Sequence, residues 1–494
     1  MTTIRRIASR VAAGAAALLV LFLLLAIPGP APRVAPAPAR GAAFAWDRDA
    51  FWSALETKFA AARAAGCGAT TPAAARGLAA LARDVAALET RALAPDAPVF
   101  DSLETALFTL GPVAAACPAH LRDYAALADR IREAVKVQSR RWDVADAAVR
   151  RRLYRALYGG RGVVEELMLH YPDSVPALFA GTAAPSATPS AVVQGVRIHS
   201  GDLLVSRGGY PTSALIARGN DFPGNFSHVA LVYVDGATGV ASTLEAHIER
   251  GVVVSTAEEY LADKKLRILV LRPRADLPRI AADPTLPHRA AAGMLARVRA
   301  GHIPYDFAMD YTDPAKLFCS EVAAAAYRAE GVTLWTGLST ISGAGLRRWL
   351  AAFGVEHFET QEPSDLEYDP QLVVVAEWRD PAELLRDHVD NAVLDAMLEG
   401  AERGDALSYG WTNLPLARLA KGYSWVLERF GKVGPVPEGM SAEAALRSRA
   451  FSARQQALAA RVRAEAKRYA VEKGYPPPYW VLLELARAAL AGTA

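Results

Sequence analysis

The chain has 494 residues, 52% of them apolar, with 55 Lys and Arg against 52 Asp and Glu for a formal net charge of +3. That length calls for two or three domains rather than one core. The near-balanced charge, with no long basic run beyond the N-terminus, gives no footing for nucleic-acid binding, and the apolar content excludes a disordered chain. Residues 1–28 open with Arg5, Arg6 and Arg10, followed by the uncharged run VAAGAAALLVLFLLLAI from Val11 to Ile27. Charge followed by an apolar run is the pattern of a secretory signal or an N-in membrane anchor. The run sits at the short limit of the roughly 17–25 residues that span a bilayer. Both readings export the remainder to the cell envelope or periplasmic side, the anchor by holding residues 11–27 in the inner membrane. The Arg5-Arg6 pair is a slight hint of twin-arginine export.

Residues 29–44, with PGPAPRVAPAPARG, read as a stiff spacer. From 45 to 180 apolar residues recur every three or four positions, as in TPAAARGLAALARDVAALETRAL, which predicts a helical domain. Thr71-Pro72 reads as a helix start. AGTAAPSATPSA, 180–191, reads as a linker. The period then changes. GDLLVSRG (201–208), SHVALVYVD (227–235), ASTLEAHI (241–248), GVVVSTA (251–257) and LRILVLRP (266–273) are short strand-like runs. Helices follow near 287–300, after Asp313-Pro314 and near 341–353, and PQLVVVAEWR (370–379) is a further strand. Residues 195–380 are therefore an α+β domain. Residues 381–494 are helical again, with charges that fit a solvated face.

Three cysteines are present: Cys67, Cys117 and Cys319. In an exported protein Cys67 and Cys117, each at the end of a helical pattern, fit a disulfide, with two unpaired structural thiols as the other reading. Cys319 is then a leftover thiol, or pairs with one of the other two. With Asp313 as cap, Pro314 opening the helix and Gly331 closing it, Cys319 lies near a helix N-terminus, where free N–H groups favour a thiolate and can serve an oxyanion. A reactive thiol needs a base, and His228 stands at the mouth of a strand. If DGATG (235–239) turns a hairpin with 235–238 as its loop, Glu245 lies opposite His228 and can orient the ring. A register shift of two puts His247 there instead. Ser206, Ser227 and Ser320 lack a GxSxG setting, His302 reads as a solvent-facing loop residue, and RFGKVG (429–434) lacks phosphate-loop spacing. No HExxH or similar spacing is present, so no metal and no organic cofactor are expected.

The order GDLLVSRG, SHVALVY, LEA, PYDF, FCSEVAAAAY resembles the YiiX/YebB-like branch of the circularly permuted NlpC-type cysteine hydrolases. These are papain-like enzymes in which the His strand precedes the Cys helix. The resemblance covers 195–350 and implies a permuted papain-like fold with an antiparallel sheet. It implies Cys319 as nucleophile, His228 as base and Glu245 as orienting residue, with Asp202, Tyr305 and Asp306 as pocket elements. The loop 208–226 reads as a rim, with Tyr210 and Arg218 facing the cleft. The activity implied is an envelope thiol hydrolase cleaving an amide or ester through an acyl-enzyme. Its substrate would be a peptide, peptidoglycan or lipid-like acyl compound. A non-catalytic envelope scaffold and an acyltransferase on the same fold are the alternatives.

Overall fold

The structure is a computed structural model that describes residues 2–38, 41–46 and 49–492. In chain order, helices α1 (Thr2–Ala26), α2 (Asp49–Thr90), α3 (Val99–Ala116), α4 (Leu121–Ser139) and α5 (Ala147–His170) come first. Strands β1 (Leu178–Ala180), β2 (Ser190–Val193), β3 (Val196–His199) and β4 (Leu203–Gly208) lead to α6 (Pro211–Arg218). Then come β5 (His228–Val234), β6 (Ala241–His247), β7 (Gly251–Thr256), α7 (Ala257–Ala262), β8 (Lys265–Pro273), α8 (Pro278–Ala282), α9 (Leu286–Ala300) and α10 (Cys319–Ala329). The remainder is β9 (Ser339–Thr340), α11 (Ala344–Phe353), β10 (Glu359–Thr360), α12 (Asp365–Tyr368), β11 (Leu372–Arg379), α13 (Pro381–Arg403), α14 (Leu414–Glu428), α15 (Ala442–Lys473) and α16 (Tyr479–Ala491).

A seven-stranded antiparallel sheet, ordered β1-β11-β8-β4-β5-β6-β7, carries the central α+β domain. One face, with Val205, Val229, Leu231 and Leu244, packs on α9 and α10; the other, with Leu204, Ala230, Val232 and Val270, packs on α7 and Ile198. Side chains alternate between the two faces along β5, and because both faces are buried the strand is a nearly continuous apolar run. The sheet begins before residue 195, because β1 pairs Phe179 with Glu377 of β11.

The N-terminal helices form a bundle around Leu81, Val85, Leu107, Tyr124 and Leu153, and that core runs on into Tyr368 and Leu384. Helix α2 breaks at Gly66, whose φ of 77° and ψ of 163° leave helical space, so the next helix starts ahead of the expected Thr71-Pro72. Cys67 and Cys117 form a disulfide across the bundle, their Cα atoms 4.9 Å apart and separated by 50 residues of sequence, and Cys319 is free. Closing a loop of that length restricts the unfolded chain by about 4 kcal/mol. Reduction is expected to lower the melting temperature of the bundle, read by calorimetry with and without reductant; an unchanged melt would contradict it.

An ionic network joins the bundle, the sheet and α13. Glu165 of α5 accepts from Arg267 of β8 at 3.1 Å (Nη2) and lies 3.1 Å from His388 Nε2 of α13. Asp387 binds Arg267 at 2.7 Å and Arg207 of β4 at 3.1 Å. Arg161 of α5 binds Glu367 and Glu377. All of these groups are buried. Among the described residues, no helix is long and apolar enough to cross a membrane.

Candidate active site

Cys319 is the first residue of α10, after Phe318 in extended conformation. The expected cap was Asp313; instead its carboxylate turns the preceding loop by accepting from Ala315 N–H at 2.9 Å. The first turn of α10 is organised by Glu321, whose Oε2 accepts from Phe318 N–H at 2.9 Å. Cys319 Sγ is buried and faces backbone, 3.9 Å from the Ser227 carbonyl oxygen. Burial pushes the thiol up to about 12, with the nearby Glu362 adding to the rise and the Val229 and Ser320 N–H groups opposing it. The thiolate expected from a helix N-terminus is therefore not the resting form: desolvation outweighs the dipole.

His228 Nε2 lies 2.7 Å from Glu245 Oε2, and His247 Nε2 lies 3.3 Å from the same oxygen. The hairpin register differs from the expected one by two residues. Leu231 faces Leu244 and Val234 faces Ala241, so continuing the ladder sets His247 opposite His228 and Glu245 on the diagonal. The cause is the turn. Asp235 Oδ1 accepts from Ala237 and Thr238 N–H, Asp235 N–H donates to the Val240 carbonyl at 3.0 Å, and Gly239 at φ +72° belongs to the loop. Burial would raise the Glu245 carboxyl, but the hydrogen bonds from His228 and His247 hold it well below the usual range. Burial lowers His228 despite that partner. The resting pair is a neutral imidazole on an ionised carboxylate. With Nε2–H donated to Glu245, Nδ1 is left as an acceptor.

Cys319 and His228 flank the start of β5 without a hydrogen bond between them. His228 faces Ser206 and shares the parity of Ala230 and Val232, whereas α10 packs on the Val229 and Leu231 face. By that parity the imidazole and the thiol lie on opposite faces of β5, so catalysis by the pair requires a rearrangement at the start of the strand.

The remaining expected site residues divide. Tyr305 and Asp306 line a cavity of about 340 Å³ with Leu215, Ile216, Phe307, Leu350 and Glu362, closed by Pro437 and Met440 from the C-terminal helical region. Tyr305 and Glu362 of this lining are near enough for their charges to interact with the Cys319 thiol, which is not itself part of the cavity wall. Asp306 shapes its loop by accepting from Ala308 and Asp310 N–H at 3.0 and 2.6 Å. Asp202 does not reach the site: it is buried on Arg272, with 2.8 Å contacts to Nε and Nη2. A carboxylate opening a strand can equally be an internal ion-pair partner. Tyr210 is half exposed at the start of α6 and does not line the cavity; Thr212, Leu215 and Ile216 form that rim instead. Arg218 turns away to Asp395, at 2.7 Å. His302 is exposed beside Glu438. Glu362 and the 435–452 wall carried no motif that the sequence could flag. Among the described residues, His228, Glu245 and His247 form a cluster able to hold a metal ion, a possibility that motif spacing missed because the ligands come from two strands.

Residues 197–376 match the family described as permuted papain-like amidase enzymes, YaeF/YiiX, C92 family. The central domain is of the permuted papain-like kind. No curated protein and no solved structure matches the chain. The match supports a cysteine amidase or hydrolase kind of function. It stops short of both helical flanks, and the C-terminal wall of the cavity lies outside the matched residues.

Glu321 offers a pH readout of this domain. Burial pushes its carboxyl up to about 8, the Phe318 N–H only partly opposing. Its ordinary value is about 4.3. A raised folded value contributes stability that is complete below about pH 4.3 and is lost as pH rises through 8. Wild type should thus lose up to a few kcal/mol across that window. Glu321→Gln should flatten the slope in denaturant titrations run at several pH values; an identical slope in the variant would refute it.

Proposed function

We propose that this chain is a cell-envelope thiol hydrolase that cleaves the amide of an acyl substrate, or its ester, through an acyl-enzyme on Cys319. The observation that carries this is the His228–Glu245 pair at the head of the strand that starts beside Cys319, with a mostly apolar cavity of about 340 Å³ whose wall includes Tyr305 and Glu362, within electrostatic reach of the thiol. A cavity of this size and lining suits an acyl chain better than a charged peptide. Substrate binding would bring His228 Nδ1 onto the thiol. Sγ then attacks the carbonyl carbon as its proton passes to Nδ1, and the oxyanion takes the free N–H groups at the start of α10. Collapse of the tetrahedral adduct expels the amine, which receives the proton from His228. Water, deprotonated by the same nitrogen, releases the acid. Glu245 holds the tautomer and stabilises the imidazolium. The test is hydrolysis of acyl anilides of graded chain length against peptide anilides. Rates that climb with chain length and vanish in Cys319→Ala are expected. Turnover surviving in that variant would overturn the reading.

A non-catalytic binding role has one observation in its favour, the protonated, unpaired state of Cys319. It predicts no turnover of any acyl amide, with the acyl compound still bound. An acyl acceptor other than water would make the same site a transferase.

A further inference from the structure

Helix α14 presents an exposed stripe to solvent. Leu416, Leu419, Tyr423, Val426 and Phe430 recur at alternating spacings of three and four, all exposed, with Leu416 at 70% and Phe430 at 74%. Trp425 stands beside the stripe, under the Arg429 guanidinium at 3.7 Å. The opposite face is spent on the protein: Leu414, Ala417 and Ser424 are buried. A contiguous apolar stripe of this kind marks a contact surface. Helix α1 lies against α14, tied by Arg418 Nη1 donating to the Leu25 carbonyl at 3.0 Å, and its own Leu18–Leu24 are exposed there too.

We propose that α14 docks on an anionic lipid bilayer, lying in the headgroup plane with this stripe buried and the cavity rim turned toward the lipid. Three features select that occupant over a partner helix or a second copy. The stripe is only 15 residues long, about two heptads, short of the three to four that a coiled-coil seam needs. Arg418 is paired with Glu443 at 2.7 Å and Lys421 donates to the Pro437 carbonyl, which leaves Arg429 and Lys432 against the single acid Glu428 at the end of the stripe, so a second copy would bring these basic groups together whereas anionic headgroups would neutralise them. Aromatic rings beside basic groups are what a membrane interface takes up. The segment that follows α14 supplies Pro435, Pro437 and Met440 to the cavity wall, so docking would set the cavity rim at the lipid surface. This goes beyond an N-terminal anchor: the folded body itself would meet the membrane. The proposal stands whether or not Cys319 turns over.

The test places a nitroxide on the full chain at Val426→Cys, with Leu419→Cys as a second stripe position and Val471→Cys, exposed on α15, as reference. Collisions with oxygen and with a water-soluble nickel complex are read with and without phosphatidylcholine vesicles that contain phosphatidylglycerol. The expected result is a gain in oxygen and a loss in nickel accessibility at both stripe positions and neither at Val471→Cys. Affinity should fall roughly fivefold for each of Arg429 and Lys432 changed to Gln. Unchanged nickel accessibility in vesicles would overturn the proposal. So would dipolar broadening at both stripe positions in vesicle-free solution, which assigns the face to a second copy.

Discussion

Alkylation of Cys319 in the resting protein should be slow at neutral pH and should rise about tenfold per pH unit up to roughly pH 11, because only the thiolate reacts. The cause is burial, which holds the thiol near 12 with the Ser227 carbonyl rather than His228 as its neighbour. His228→Ala should leave this resting rate unchanged while reducing turnover of an acyl amide by roughly 10²–10⁴-fold, the size of a lost general base. A substrate-like acyl amide that closes the pair should accelerate alkylation at pH 7 in wild type and not in His228→Ala. Rapid alkylation of the free protein at pH 6, slowed by His228→Ala, would show instead that a pre-formed thiolate–imidazolium pair exists. Iodoacetamide labelling followed by mass spectrometry of the Cys319 peptide reads all three.

The largest stability effect is expected at Glu165. Burial alone would raise this carboxyl, but Arg267, His388 and Arg161 hold it well below the usual carboxylate range. Glu165→Ala takes from Arg267 the partner of both its Nη atoms, leaving it Asp387 alone, and takes from His388 its 3.1 Å partner, and breaking a buried pair in this way costs about 3–5 kcal/mol. The melting temperature should fall on the order of 10 °C. Because the folded-state value is depressed, this stabilisation is present at neutral pH and is lost as pH falls through the acid range. The wild type should therefore lose its advantage over Glu165→Ala on acidification. A melt unchanged by Glu165→Ala would mean that the network carries no net stability. Since the network crosses from α5 through β8 to α13, bundle, sheet and C-terminal region should melt together, as one calorimetric transition.

The strands and the cysteine helix were legible because two-sided burial writes itself as apolar runs between turn residues: SHVALVYVD and LRILVLRP became β5 and β8 within a residue or two. The partnership of His228 with Glu245 was reached through a register two residues off, since Asp235 lengthens the turn by side-chain hydrogen bonds that a dipeptide pattern does not reveal. Asp202 misled because a carboxylate at a strand start looks the same whether it faces substrate or Arg272. The protonated state of Cys319 was not legible at all: helix position argues for thiolate, and only the packing of Leu317, Phe318 and Val322 around it shows how much solvent is removed. The cavity wall came from residues 435–452, distant in sequence and without motif, which only tertiary packing brings to Tyr305 and Phe307.

The burial that quiets Cys319 also protects it from oxidants. Peroxide and disulfide exchange both act on an accessible thiolate, and this sulfur is 5% exposed and protonated. The other two cysteines are consumed by the bond between α2 and the end of α3. The folded protein thus offers no ready thiol for mispairing with another chain under oxidising conditions.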